Sequence, residues 1–233
     1  VDTTATDSMF SYCGNLTNFK FGTFTMAGVQ TMSKMFVHCT AVTTIDFTLA
    51  GFDSANEANK SNYVQNFTSA KYLYNMFGDC HALTTLKGFK YLKLTYLATG
   101  DINGIKQYSD SLYRLFDNCR SLKVIDMSKW DLNNYAEAIY DDNDYILSDI
   151  FNGCTSLTDI YTPYVTNWKV RFLLPENTQV EYYYVAENDE VGRLFRPGTE
   201  ITIYNSPKRI TSNNSTQNNP YGPGISILFD NKT

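Results

Sequence analysis

Two cysteines and two histidines stand where chemistry could use them. His38 precedes Cys39 and His81 follows Cys80, four donors of the kind that hold a tetrahedral zinc ion. Against zinc, the histidines lie on opposite sides of their cysteines, and a repeated phrase accounts for both cysteines without metal. All five cysteines of the chain occupy one place in that phrase: a large apolar residue, Phe, two variable residues, Cys, two variable residues, Leu or Val, and three residues later another large apolar residue. It runs Met9, Phe10, Cys13, Leu16, Phe19, then Met35, Phe36, Cys39, Val42, Ile45, then Met76, Phe77, Cys80, Leu83, Leu86. The last two copies are Leu115, Phe116, Cys119, Leu122, Ile125 and Ile150, Phe151, Cys154, Leu157, Ile160. An odd number of cysteines sharing one inward position reads as a ladder of small, reduced core side chains. A disulfide between adjacent units is the weaker alternative, since stacking can bring such positions within bonding reach.

Other chemistry finds little footing. With both histidines beside core cysteines, a serine or cysteine nucleophile lacks a base. No Gly-rich phosphate loop is present, and the carboxylates Asp141, Asp142 and Asp144, or Glu187, Asp189 and Glu190, do not match the spacing of a calcium loop. The chain therefore reads as non-enzymatic and without a cofactor. A net charge of −5 and a pI near 5.0 argue against a nucleic-acid partner, for which a basic stripe is needed. No apolar run approaches the roughly 18 residues of a membrane span, so direct membrane insertion is not expected. The start at Val1, almost inside the first copy of the phrase, suggests a fragment of a longer protein.

The elements that position these residues follow from two periods inside the phrase. Met32, Leu73, Leu112 or Leu147 lies seven residues before the cysteine in copies two to five. Apolar residues then fall at i, i+3, i+4 and i+7, one face of a short helix. Beyond the cysteine, Ile125 and Met127 alternate with Asp126 and Ser128, the period of a half-buried strand. Helix, turn and strand recur, and one such unit cannot bury its apolar face alone. The expected fold is an α/β repeat: a leucine-rich-repeat-like solenoid of five units over residues 1–161, with parallel strands on one face and short helices on the other. Cys13, Cys39, Cys80, Cys119, Cys154 and Phe10, Phe36, Phe77, Phe116, Phe151 are its core ladder. Residues 162–233 leave the phrase and read as a β-rich C-terminal cap, with strands at Val170 to Leu174, Val180 to Val185, Ile201 to Tyr204 and Ile225 to Phe229, and a polar loop from Ser206 to Gly224.

The residue seven past each cysteine is Lys20, Asp46, Lys87, Asp126 and Tyr161. In register these face outward on neighbouring strands, and alternating charges each add about 0.2–1 kcal/mol to the pairing. They are the first candidate partner-binding residues. The second candidates come from the cysteine spacings of 26, 41, 39 and 35 residues, which place 15, 13 and 9 extra residues between strand and following unit. Those insertions, Ala50 to Ser69, Tyr91 to Ser109 and Asn133 to Tyr145, emerge on one edge and are rich in aromatics such as Tyr96 and Tyr140. Packing of their own loops onto the stack is the competing explanation for those aromatics.

The pattern Met-Phe-x-x-Cys-x-x-Leu-x-x-Ile-Asp, continued in Ile125, Asp126, Met127, Ser128, Lys129, Trp130 and Asp131, resembles the bacterial surface-protein 26-residue repeat of the BspA-like leucine-rich-repeat proteins. Residues 9–161 carry the resemblance, and Leu157 to Leu174 is similar to the closing segment of that family. The resemblance implies an extracellular or cell-surface protein that adheres to a host or neighbouring-cell protein or glycan, with the signal and anchor outside this fragment. A structural spacer, or a receptor-binding fibre module of bacterial or phage origin with no ligand site of its own, is the alternative.

Overall fold

The computed structural model describes residues 5–53, 57–94, 100–102, 105–107, 111–130, 150–161, 171–174, 183–184, 192–196, 199–204, 209–213 and 224–228. Each copy of the phrase closes one unit, numbered 1 to 5 by its cysteine. Just past the cysteine lies a three-residue strand: β1 Asn18–Lys20, β2 Thr44–Asp46 and β3 Thr85–Lys87 in units 1 to 3. A hairpin of β4 Gly100–Ile102 and β5 Ile105–Gln107 follows, then β6 Val124–Asp126 in unit 4 and β7 Asp159–Tyr161 in unit 5. The remaining strands are β8 Arg171–Leu174, β9 Tyr183–Tyr184, β10 Gly192–Arg196, β11 Thr199–Tyr204, β12 Arg209–Asn213 and β13 Gly224–Leu228. Two of these, β10 and β12, were not among the expected strands, and β12 occupies part of the segment expected as a polar loop.

Strand pairing is parallel and in register along the units. Phe19, Ile45 and Leu86 align across β1, β2 and β3, and Ile125 aligns with Ile160 across β6 and β7. β11 continues the second sheet by pairing in parallel with β7, then folds back antiparallel onto β10. β8, β13 and β12 form a separate antiparallel sheet.

The segments expected as short helices are not helical among the described residues; they are successive turns. Ser8, Lys34, Asn75 and Arg114, five residues before the cysteine, have positive φ, and so do Tyr12, His38, Asp79 and Asn118, one residue before it. An α-helix directs every N–H to a carbonyl four residues back in its own chain. Here the N–H groups divide. Those of Met9, Ser11 and Cys13 close turns onto Thr6, Ser8 and Phe10, whereas those of Ser8, Phe10 and Tyr12 cross to Ser33, Met35 and Val37 of the next unit at 2.8–3.0 Å. The crossing pattern repeats from unit 2 to 3, 3 to 4 and 4 to 5, with Phe36, Phe77 and Phe116 donating to Met76, Leu115 and Ile150. A run of three-residue turns brings i, i+3, i+4 and i+7 to the same side, which is why the apolar spacing imitates a helix.

One continuous core results. The five phrase phenylalanines stack nearly parallel, with ring centroids 5.4, 6.1, 5.4 and 6.4 Å apart in chain order. Phe36, Phe77, Phe116 and Phe151 are fully buried, while Phe10 in unit 1 is partly buried.

The strand side interrupts between units 3 and 4, where β3 and β6 belong to different sheets. In units 1, 2 and 4 the residue after the strand is Phe21, Phe47 or Met127, buried, with its N–H donated to the next strand at Asp46, Lys87 or Tyr161. Unit 3 has Gly88 at that place, with φ of 79°, and the aromatic arrives one residue late as Phe89 in a 3-10 turn. Phe89 wedges against Phe77, Phe116 and Trp130, and Trp130 Nε1 donates to its carbonyl at 3.1 Å. The extra residue breaks the two-residue alternation needed to continue the ladder.

Candidate functional site

The strand side carries the first set of candidate residues. Lys20, Asp46 and Lys87 align across β1, β2 and β3, and both ammonium groups approach Asp46 Oδ2, at 3.8 and 3.6 Å. The other carboxylate oxygen of Asp46 accepts the backbone N–H of Thr48 at 2.8 Å and its hydroxyl at 2.6 Å. Asp46 is only 8% exposed, so this carboxylate is occupied on both oxygens, while the two lysines keep more than half of their side chains in solvent.

Asp126 and Tyr161 align across β6 and β7, but the interruption separates them from the first trio. The expected row of alternating charges on four neighbouring strands is therefore two shorter groups. Asp126 repeats the local turn of Asp46, accepting the N–H and hydroxyl of Ser128 at 3.0 and 2.6 Å. Its cation is Lys90, 3.3 Å away, supplied by the displaced turn of unit 3. Burial disfavours the charged form of Lys90, but the Asp126 carboxylate outweighs that and raises its pKa. Lys90 and Lys60 both lie over the Tyr91 ring, at 5.1 and 5.5 Å from its centroid. Spacing alone pointed to Lys87 as the neighbour of Asp126; Lys60, Lys90 and Tyr91 carried no repeat signal.

The insertion aromatics divide. Phe67 and Tyr91 are buried against the stack, and Gln65, also buried, ties the first insertion to unit 1 by accepting the Met26 N–H at 3.2 Å. Tyr63 remains exposed. Tyr96 and Tyr140 lie outside the described residues.

The cysteines and histidines form the inner and lateral parts of the turn side. All five thiols are free. Cys39, Cys80, Cys119 and Cys154 are buried, and each Sγ donates backward to the carbonyl of the preceding unit's phenylalanine: Phe10, Phe36, Phe77 and Phe116, at 3.0–3.2 Å. The ladder is thus a hydrogen-bond ladder as well as a packing one. Cys13 departs from the expected inward position and is exposed. Burial pushes the Cys39 thiol up to about 11, those of Cys80 and Cys154 higher still and that of Cys119 well above its ordinary value, so the buried thiols stay protonated and unreactive.

His38 and His81 turn away from the thiols. Both face one carboxylate, His38 Nδ1 at 3.5 Å from Asp79 Oδ2 and His81 Nε2 at 3.5 Å from Asp79 Oδ1, and Asn118 Nδ2 donates to Oδ1 at 3.1 Å. Tyr12 stacks on His38 with centroids 4.5 Å apart. Zinc held by two cysteines and two histidines does not fit this geometry, and no group of three or more metal-ligating side chains suited to an ion occurs among the described residues. Nor, among those residues, is any helix long and apolar enough to cross a membrane. Compared with protein-family models, curated proteins and solved structures, the chain matches none of them.

Proposed function

We propose that this chain is a non-enzymatic binding module of an extracellular or cell-surface protein, a leucine-rich-repeat-like solenoid of the BspA type whose strand side contacts a protein or glycan partner. The observation that carries the reading is the strand-side patch. Lys20 and Lys87 flank the Asp46 carboxylate and Lys90 reaches that of Asp126, with Tyr91 beneath the Lys90 ammonium group. Three ammonium groups on two carboxylates leave these pairs locally positive on a chain of net charge −5. Such a patch suits acidic groups on a partner, steering the encounter and setting its orientation. The four buried thiols, by contrast, are consumed in holding units together, which supports a scaffold in preference to a catalyst.

The test is a binding screen of the purified chain against matrix proteins and glycans at low and high salt, followed by Lys87→Glu and Asp126→Lys. Binding that weakens with salt and shifts with these reversals supports the reading. A screen without partners, or binding indifferent to both reversals, refutes it.

A further inference from the structure

Successive units are tied on two sides, with one exception. On the turn side every step carries crossing N–H bonds and a thiol bond back to the preceding unit. On the strand side the steps from unit 1 to 2, 2 to 3 and 4 to 5 add a parallel ladder, which the N–H of Phe21, Phe47 or Met127 extends by one bond. The step from unit 3 to 4 keeps the turn side whole: Leu73, Asn75, Phe77 and Asp79 donate to Ser111, Tyr113, Leu115 and Asp117 at 2.7–3.0 Å, and the Cys119 thiol donates to the Phe77 carbonyl at 3.1 Å. On its strand side β3 and β6 share no ladder. The N–H groups of Thr84, Thr85, Thr158 and Asp159 cross to the preceding unit at Thr43 or Lys123, but among the described residues those of Lys123 and Val124 cross to no carbonyl of unit 3.

Side chains replace the ladder there. Lys90 reaches Asp126 at 3.3 Å, and Trp130 Nε1 donates to the Phe89 carbonyl at 3.1 Å, with the Phe89 ring 4.7–6.1 Å from those of Trp130, Phe116 and Phe77. A ladder fixes distance and angle together, because N–H···O bonds weaken steeply once they bend. Apolar packing is non-directional and tolerates a change of angle that keeps the rings in contact. The ion pair adapts as well: its two side chains are 31% and 27% exposed, so water and salt reach it. The same division runs through the strand-side candidates, with Lys20, Asp46 and Lys87 before it and Asp126 and Tyr161 beyond it.

We infer that the step between units 3 and 4 is a hinge. Its axis is the hydrogen-bonded turn side, the packing of Phe89 on Trp130 and Phe116 is the contact that rolls, and the Lys90–Asp126 ion pair is the latch that holds the strand side closed. Units 1 to 3 move as one piece and units 4 and 5 as the other, so a partner spanning both groups of strand-side residues selects one angle from those the hinge allows. Matched pairs of spin labels read the motion. Thr17, Thr43, Thr84 and Lys123, each four residues past its cysteine, are all exposed, and in a Cys13→Ser chain the four remaining native cysteines are buried. Thr43→Cys with Lys123→Cys spans the hinge, whereas Thr17→Cys with Thr84→Cys spans two steps that both carry a ladder.

Dipolar broadening in electron paramagnetic resonance gives the distance distribution of each pair. The spanning pair is expected to be at least about twofold broader than the matched pair. Lys90→Gln should broaden it further, as should Asp126→Asn, which keeps an oxygen for Ser128, and the double variant should do no more than either, since all remove one contact. High salt should act on the parent as the variants do and leave the variants unchanged. Equal widths in the two pairs overturn the hinge, and a width that neither variant nor salt alters overturns the latch. If Cys80 or Cys119 becomes reactive in a labelled chain, the substitutions have loosened the stack, and hydrogen exchange of the unlabelled chain decides instead. Exchange at Lys123 and Val124 that is faster than at Thr84 and Thr85 and rises with Lys90→Gln supports the hinge; equal protection at the two places counts against it.

Discussion

Replacing Asp46 separates two roles that the strand-side carboxylate could play. Its Oδ2 faces two lysines whose side chains are 59% and 51% exposed, and pairs of that kind contribute about 0.2–1 kcal/mol each at most, less at high salt. Its Oδ1 holds the Thr48 N–H and hydroxyl, and Thr48 is buried. Leaving that buried N–H without its acceptor costs about 1–3 kcal/mol. Asp46→Asn keeps an oxygen in the same place and removes the charge, so a loss of at most about 2 kcal/mol is expected for the two pairs together. Asp46→Ala removes both functions and is expected to lose about 1–3 kcal/mol more than Asp46→Asn. Urea unfolding of both variants at low and high salt provides the measurement. The charge component should shrink with salt, and the gap between the variants should not. If Asp46→Asn is as destabilising as Asp46→Ala, the turn is not what the carboxylate supports, and the argument from its two oxygens is wrong.

Four further outcomes can be checked on the same preparations. Phe77→Ala, at the middle of the phenylalanine stack, is expected to cost about 3–5 kcal/mol in denaturant unfolding, and Phe10→Ala clearly less, because Phe10 has a neighbouring unit on one side only. Native alkylation should modify Cys13 alone, and rapid modification of Cys80 or Cys119 would contradict their burial. The alkaline limb belongs to the buried thiols together. The folded-state pKa of Cys39, about 11, exceeds the ordinary value of 9.0, so its contribution to stability is whole below pH 9 and declines as pH rises toward 11, and the raised thiols of Cys80, Cys119 and Cys154 add to the same decline; Cys39→Ala should make that decline shallower without removing it in a pH series of melting temperatures. Gly153→Ala should destabilise more than Gly22→Ala, because both have positive φ but only at Gly153 would the added methyl fall on Asn118, whose Cα lies 3.0 Å from it.

Much of the stack was legible in the chain. The five phrases name the inward residues of units 2 to 5 almost without error, and the strands fall where the period changes, because burial selects side chains one by one and leaves that selection in the spacing. The charge partners were legible only where the units are regular: Lys20, Asp46 and Lys87 meet as register predicts. The turn side was misread as helical because apolar spacing reports which residues face inward and not where the backbone N–H groups go. Only a neighbouring unit can receive the bonds from Ser8, Phe10 and Tyr12, and a neighbour 26 or 41 residues away has no local signature.

The sequence by itself determined where the five phrases lie and which residues of units 2 to 5 face inward, properties of a residue and its own unit. Tertiary structure decided the rest: the one-residue shift at Gly88 that inserts Phe89 and gives Asp126 to Lys90, the pairing of both histidines with Asp79, and the exposure of Cys13. Each of these depends on what stands next to a unit, and identical phrases acquire different surroundings at the end of a stack than in its middle.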